Sequence, residues 1–133
     1  MLQSVDLRDY MLTNPIKVME DSNLLDTMQT IIDNKVSGVC VVDKIGDLVG
    51  ILSEMDCLAA VLKATYNEIG VGQVSQYMIK EGIIVAHPSD DIIDLAQDML
   101  LKKHRRRPVV DDGKLVGQVS CRQLLAAVNK FNK

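Results

Sequence analysis

A run of six basic-type side chains, KKHRRR at residues 102–107, directly precedes the apolar stretch Pro108-Val109-Val110. The planar guanidinium group of arginine binds phosphate oxygens in pairs, so the run predicts an anion site. The formal net charge of −3 and the low aromatic content of 3%, which leaves few side chains for base stacking, argue against a nucleic-acid partner. Three alternatives remain open on the residues alone: solvated surface charge, ion pairs across a dimer, or a different anion or partner.

Ser53 and Asp56 form a second polar pair, three residues apart, where a predicted strand meets a predicted helix. A carboxylate accepts two hydrogen bonds from a cis-diol, and such charge-assisted bonds are strong. The same spacing also suits a helix N-cap followed by an acid in the first helical turn. From spacing alone, both the ligand role and the capping role are possible.

The elements that position these residues occur twice in the chain. VVDKIGDLVGILSEMDCLAAV in the first half corresponds to VVDDGKLVGQVSCRQLLAAV in the second, and Tyr10-Met11 recurs as Tyr77-Met78. Each half shows the order β-α-β-β-α, with apolar residues at helical spacing and β-branched runs divided by Asp/Gly turns. We therefore predict repeats at 1–65 (with an N-terminal lead-in) and 74–133, joined by a linker at 66–73.

The predicted elements of each repeat begin with a short strand, about 16–19 or 83–86. A helix follows, with Ser22 or Ser89 near its N-cap. A β-hairpin and a closing helix complete each repeat. The closing helices are predicted at about 54–64 and 121–130. A unit of about 60 residues buries little surface alone, so two packed repeats with a ligand cleft between them are expected.

The composition predicts a cytosolic protein without a membrane segment. The three cysteines, Cys40, Cys57 and Cys121, are far apart and odd in number, which indicates reduced thiols rather than disulfides or a zinc site. We expect Cys40 in the core, and Cys57 and Cys121 in core or interface packing. The N-terminus has no signal-peptide pattern. Without a Gly-rich phosphate loop or a nucleophile–base pair, we expect no enzyme and no required cofactor.

The two halves resemble a tandem pair of cystathionine-β-synthase (CBS) domains, also called a Bateman module, over roughly residues 5 to 130. The resemblance is carried by the paired VVD strand, the D-x-x-G-x-LVG turn at 43–50 and the G-h-h-S-x-x-D tail at 50–56, where h is apolar. It implies an α+β (mixed α/β) fold of two β-α-β-β-α repeats with pseudo-twofold symmetry. The expected function is a stand-alone regulatory module that binds AMP, ADP, ATP or S-adenosylmethionine, forms a homodimer and signals to an effector protein.

The resemblance also implies roles for particular residues. Asp56, with Ser53, would hold the ribose hydroxyls. Ser37 and Gly38 would shape the adenine pocket, between apolar walls formed by Ile16 and Ile51.

The two repeats differ in the residues that would bind charge. Arg106, with Arg105 beside it, would reach across the cleft to the phosphates and share a site with Asp56. In the second repeat Ser120 is retained, but Gln123 stands where the acid is expected, so we predict one competent and one degenerate nucleotide site. The alternative is a ligand-free dimerisation or scaffold module, or a binder of another anion.

Overall fold

The computed structural model describes residues 4–67 and 70–131, without the side chain of Phe131. Residues 68 and 69 of the predicted linker lie outside the described residues. The helices and strands, in chain order, are β1 Lys17–Met19, α1 Leu24–Asn34, β2 Gly38–Val42, β3 Leu48–Ser53, α2 Glu54–Tyr66, α3 Ile92–Lys102, β4 Arg106–Asp111, β5 Lys114–Ser120 and α4 Cys121–Phe131. Two short 3-10 helices, Leu7–Asp9 and Val74–Gln76, were not predicted. The mixed helix-and-strand fold class is confirmed.

The chain divides into two compact units. The first unit is Ile16–Ile83, and the second unit combines Met1–Pro15 with Ile84–Lys133. Each unit therefore includes a 3-10 helix that precedes, in the chain, the α-helices and strands of the other unit. The predicted repeat bounds follow sequence similarity rather than compactness and stay a prediction.

The first unit is built on a three-stranded sheet in the order β1-β2-β3. Strand β1 runs parallel to β2, and β2 pairs with β3 antiparallel, with Gly38 opposite Ser53. Because side chains alternate along a strand, Val39, Val41 and Leu52 share the face that packs under the helices. The buried core of this unit comprises Leu24, Ile31, Val39, Val41, Leu52, Cys57, Ala60 and Val74.

The second unit pairs β4 with β5, and its N-terminal segment closes the outer edge of β5. Leu12 exchanges backbone hydrogen bonds with Gln118, at 2.8 Å and 2.9 Å. A side-chain carbon at Gly117 would lie 2.6 Å from the Leu12 carbonyl oxygen, so the glycine permits this close approach. The buried core of the second unit comprises Leu7, Ala86, Ile92, Leu95, Met99, Val109, Val119, Leu124 and Ala127.

The predicted strand at 83–86 is wrong, because only a single parallel bridge joins Ala86 to Val109. The Ala86 N–H donates to Pro108 O at 2.8 Å, and the Val110 N–H donates to Ala86 O at 2.9 Å. The next hydrogen bond in either direction would need the N–H of Pro88 or of Pro108. Proline has no N–H, so the ladder cannot grow beyond one bridge.

The N-cap of the first α-helix lies one residue after Ser22 in the first unit and two residues after Ser89 in the second. The side chain of Asn23 accepts from Leu25 N at 2.8 Å, and that of Asp91 accepts from Ile93 N at 2.7 Å. Asn23 and Asp91 are therefore the N-caps of α1 and α3. Within the described part of the chain, no helix has both the length and the apolar character that crossing a bilayer requires.

Candidate functional site

Ser53 and Asp56 form a reciprocal capping box at the start of α2. The Asp56 N–H donates to Ser53 Oγ at 3.1 Å, and the Ser53 N–H donates to Asp56 Oδ2 at 3.0 Å. The capping role, one of the two that the spacing allowed, is therefore present, and the ligand role stays a prediction. The cap uses one carboxylate oxygen, and Oδ1 receives no hydrogen bond from residues 4–67 or 70–131. The capping bond fixes the half-buried carboxylate and leaves Oδ1 available to another donor.

Ser37 and Gly38 lie at the same end of the β2–β3 hairpin as this capping box. Gly38 is opposite Ser53 in the strand register, and the Glu54 N–H donates to Ser37 O at 2.9 Å. A side-chain carbon at Gly38 would lie 3.0 Å from Leu52 O, so the backbones approach tightly here. The first unit thus brings together Ser37, Gly38, Ser53 and Asp56.

The two isoleucines predicted to wall the base occupy different surroundings in the first unit. Ile16 is half-buried and packs against the helix-facing core. Ile51 is opposite Cys40 and precedes Leu52, which is fully buried in that core. Strand alternation therefore directs Ile51 to the other face of the sheet. Their shared role as apolar walls stays a prediction.

The basic run continues into β4 in the second unit, where its arginines separate into two groups. Arg105 and Arg106 are exposed, whereas Arg107 is only 3% exposed. Arg106 is opposite Ser120 in the register, and the Cys121 N–H donates to Arg105 O at 2.9 Å. Arg105 and Arg106 thus lie at the end of the β4–β5 hairpin, beside the first turn of α4.

Arg107 has a structural role that was missed by treating the basic run as one group. Its Nη2 lies 2.7 Å from Asp98 Oδ2, an ion pair rather than a well-aligned hydrogen bond. Its Nε–H donates to His104 Nδ1 at 3.1 Å, which requires the imidazole proton to be on Nε2. The contact with Arg107, and then the hydrogen bond from Lys102, lower the pKa of Asp98. The alternation of strand residues was the signal that could have revealed this inward-facing arginine.

The end of the β4–β5 hairpin carries a second reciprocal cap, with Gln123 in place of an acid. The Ser120 N–H donates to Gln123 Oε1 at 2.8 Å, and the Gln123 N–H donates to Ser120 Oγ at 3.2 Å. Gln123 therefore reproduces the capping function of Asp56 without its negative charge.

None of the three cysteines forms a disulfide within the part of the chain that the structure describes. Cys40 and Cys57 are buried, as predicted. Burial, and then the nearby charge of Asp56, raise the pKa of the Cys57 thiol, which keeps it protonated. Cys121 is exposed at the first position of α4, and its Sγ–H donates to His104 O at 3.3 Å. Of the two alternatives predicted for it, core packing is therefore wrong and interface packing stays a prediction.

Comparison with known proteins assigns the family. The model of the CBS domain family matches residues 7–63 and again residues 72–130. Two relatives from Methanocaldococcus jannaschii are the uncharacterized proteins MJ1225 (29% identical over 86% of this chain) and MJ1426 (32% identical over 92% of it). The chain spans 39% of the length of the first and 90% of the second.

A solved structure of similar fold is that of CBSX2, a protein of Arabidopsis thaliana, in complex with AMP. It is 28% identical to this chain, with a TM-score of 0.82, and the match covers 98% of this chain and 100% of CBSX2. Because the family model matches most of the sequence in two successive copies, the chain belongs to the CBS domain family and carries a tandem pair of CBS domains.

Proposed function

We propose that this CBS-domain pair is a regulatory module that binds an adenosine-containing nucleotide and passes its occupancy to a partner protein. The observation that carries the proposal is the Asp56 carboxylate, which the capping box fixes through Oδ2 while Oδ1 is left for a ligand. The AMP complex of CBSX2 supports the choice of ligand class. The candidates are AMP, ADP, ATP and S-adenosylmethionine.

The ribose is held by Asp56 in this proposal. A hydroxyl proton directed at Oδ1 forms a hydrogen bond with a charged acceptor, which contributes about 1.5–3 kcal/mol. The carboxylate loses little conformational freedom on binding, because Ser53 N already orients it. The small residues Ser37 and Gly38 leave room for the base beside it, with Ile16 and Ile51 as the proposed apolar walls.

Arg105 and Arg106 bind the phosphates in this proposal. Both side chains are exposed, and neither forms an ion pair with a carboxylate among the residues that the structure describes. Arg107 is committed to Asp98 and cannot serve the same role. Guanidinium groups without a carboxylate partner among the described residues suit a phosphate group, which offers only acceptor oxygens.

Homodimerisation is the proposed route by which occupancy reaches a partner, since ligand binding can shift a dimer between arrangements of different affinity. Exposed apolar side chains on the helices support it, because patches of this kind mark protein interfaces. In the first unit these include Ile32 at 63%, Met55 at 78% and Leu58 at 60%. In the second unit Leu101 is 81% exposed and Leu125 70%.

A ligand-free dimerisation or scaffold module is the second candidate. The observation that favours it is the capping box itself, since capping alone accounts for both Ser53 and Asp56. A cytoplasmic location, predicted from the odd number and wide spacing of the cysteines, stays a prediction under either function.

Isothermal titration calorimetry of the purified chain with AMP, ADP, ATP, S-adenosylmethionine and NAD separates the two candidates. Regulatory binding predicts micromolar affinity for at least one of the five, and loss of that affinity in Asp56→Asn, which keeps an oxygen for the cap. No binding across the panel would leave the scaffold function as the better account.

A further inference from the structure

The reciprocal cap of the second unit leaves a side-chain hydrogen-bond donor available, whereas the cap of the first unit leaves an acceptor. The backbone N–H of Ser120 can only donate, so the oxygen of the Gln123 amide must face it, as the 2.8 Å contact to Oε1 shows. The amide nitrogen Nε2, with its two N–H groups, is therefore the atom left over by the cap. Among the described residues none accepts a hydrogen bond from it. At Asp56 the atom left over is a carboxylate oxygen.

The two caps also differ in the charge of the residues around them. The first turn of α2 contains two acids, Glu54 and Asp56, whereas the first turn of α4 contains none and includes Arg122. Acids ordinarily stabilise this end of a helix, so α4 forgoes a usual source of stability. The change from acidic to basic therefore accompanies the change from acceptor to donor.

Two more arginines are held next to the Gln123 cap. Arg106 is directly opposite Ser120 across the hairpin, and the carbonyl of Arg105 accepts from Cys121 N at 2.9 Å. None of the guanidinium groups of Arg105, Arg106 and Arg122 lies within ion-pair distance of a carboxylate in residues 4–67 and 70–131. This end of the second unit combines unpaired positive charge with a neutral amide donor.

We propose that Gln123 Nε2 and Arg106 together bind the oxygens of a phosphate group. A phosphate oxygen accepts from both, whereas a ribose hydroxyl that donates its own proton would find at Gln123 only the Oε1 that already accepts from Ser120 N. The phosphate is either that of the bound nucleotide, in which case the inference rests on the proposed function, or a free phosphate or pyrophosphate ion. In either case Gln123 is a ligand-binding residue rather than a lost copy of Asp56.

The decisive variant is Gln123→Glu, which is nearly isosteric. The glutamate keeps one oxygen for the Ser120 N–H, and so retains the cap, but replaces the outward amide nitrogen by a second carboxylate oxygen. We expect the affinity for ADP to fall by about 10- to 100-fold, the range for losing a hydrogen bond to a charged group, and the affinity for adenosine to stay within twofold. Arg106→Gln, at an exposed side chain, should likewise lower the affinity for ADP but not for adenosine. Asp56→Asn should lower the affinities for adenosine and ADP equally.

Calorimetric titrations with orthophosphate and pyrophosphate distinguish the two sources of the phosphate group. If these ions do not bind the wild-type chain while Gln123→Glu weakens ADP selectively, the phosphate belongs to the nucleotide. If orthophosphate or pyrophosphate binds the wild-type chain and Gln123→Glu abolishes that binding, the site takes a free ion. This conclusion does not depend on the proposed function, because it holds even if adenosine and ADP do not bind. Unchanged affinity of Gln123→Glu for ADP and pyrophosphate would overturn the inference, and so would a gain of adenosine binding. A thermal unfolding midpoint like that of the wild type confirms that the variant is folded.

Discussion

Replacing Asp56 by alanine removes two functions of one carboxylate, whereas replacing it by asparagine removes only one. Alanine deletes the Oδ2 that accepts from Ser53 N at 3.0 Å as well as the Oδ1 proposed to bind ribose. Asparagine keeps one oxygen for the cap and presents an amide nitrogen in place of Oδ1. The pair of variants therefore separates helix capping from ligand binding.

The expected effects on stability follow from the capping contacts. Alanine loses one hydrogen bond of about 0.5–1.5 kcal/mol and a helix-terminal charge of about 0.3–1 kcal/mol, together about 0.8–2.5 kcal/mol. Asparagine loses only the charge. On a domain of this size, the alanine variant should unfold roughly 3–10 °C below the wild type, and the asparagine variant should lie between the two.

The expected effects on binding differ in pattern, because both variants lose the charged acceptor. Calorimetry should show adenosine weakened by about 10- to 100-fold in both Asp56→Asn and Asp56→Ala. Wild-type adenosine affinity in Asp56→Asn, alongside a lowered unfolding temperature in Asp56→Ala, would show that the carboxylate only caps the helix. Equal unfolding temperatures of alanine variant and wild type would refute the capping argument itself.

Three further predictions concern other contacts. Arg106→Gln should weaken ADP by about tenfold or more relative to adenosine, since it removes a charged partner of phosphate; equal losses for both, measured by calorimetry, would remove Arg106 from the phosphate site. Asp98 has a lowered pKa in the folded chain, so its contribution to stability is present above the ordinary aspartate range near pH 3.9 and is lost as the pH falls through the lower folded value. Asp98→Asn should flatten that part of an acid-unfolding curve followed by circular dichroism, and an unchanged curve would contradict the ion pair with Arg107. Leu58→Glu, at a side chain 60% exposed, should shift a dimer towards monomer in sedimentation velocity without unfolding the chain, whereas an unchanged sedimentation coefficient would exclude this helix face from the interface.

The repeated sequence pattern was sufficient to predict the helices and hairpins, because each half repeats the same apolar spacing and the same turn residues. It also predicted that Ser53 and Asp56 meet at the start of a helix. The strand at 83–86 was wrong because its further hydrogen bonds would need the N–H of Pro88, which follows this segment, or of Pro108 in β4. Which N–H groups are needed follows from the register, which the sequence does not give. Neither short 3-10 helix was predicted. Leu7–Asp9 precedes the first unit in the chain but belongs to the second, and Val74–Gln76 belongs to the first unit although the sequence places it in the second repeat.

Helical spacing identified apolar side chains but not what covers them. Leu24 and Leu25 fit the same amphipathic pattern, yet Leu24 is fully buried and Leu25 is 52% exposed. Likewise, the charge of Arg107 suggested an exposed or ligand-binding side chain, but its position in β4 directs it inwards to an ion pair with Asp98. Burial of this kind depends on register and on contacts distant in sequence, which local spacing does not contain.

The central claim, that the Asp56 carboxylate holds the ribose, is tested most directly by removing the hydroxyl from the ligand as well as the charge from the protein. Calorimetry would compare AMP with 2′-deoxy-AMP on the wild-type chain and on Asp56→Asn. The account predicts that the wild type prefers AMP by about tenfold or more and that this preference largely disappears in Asp56→Asn. Equal affinities of the wild type for AMP and 2′-deoxy-AMP, or a preference that persists in Asp56→Asn, would contradict it.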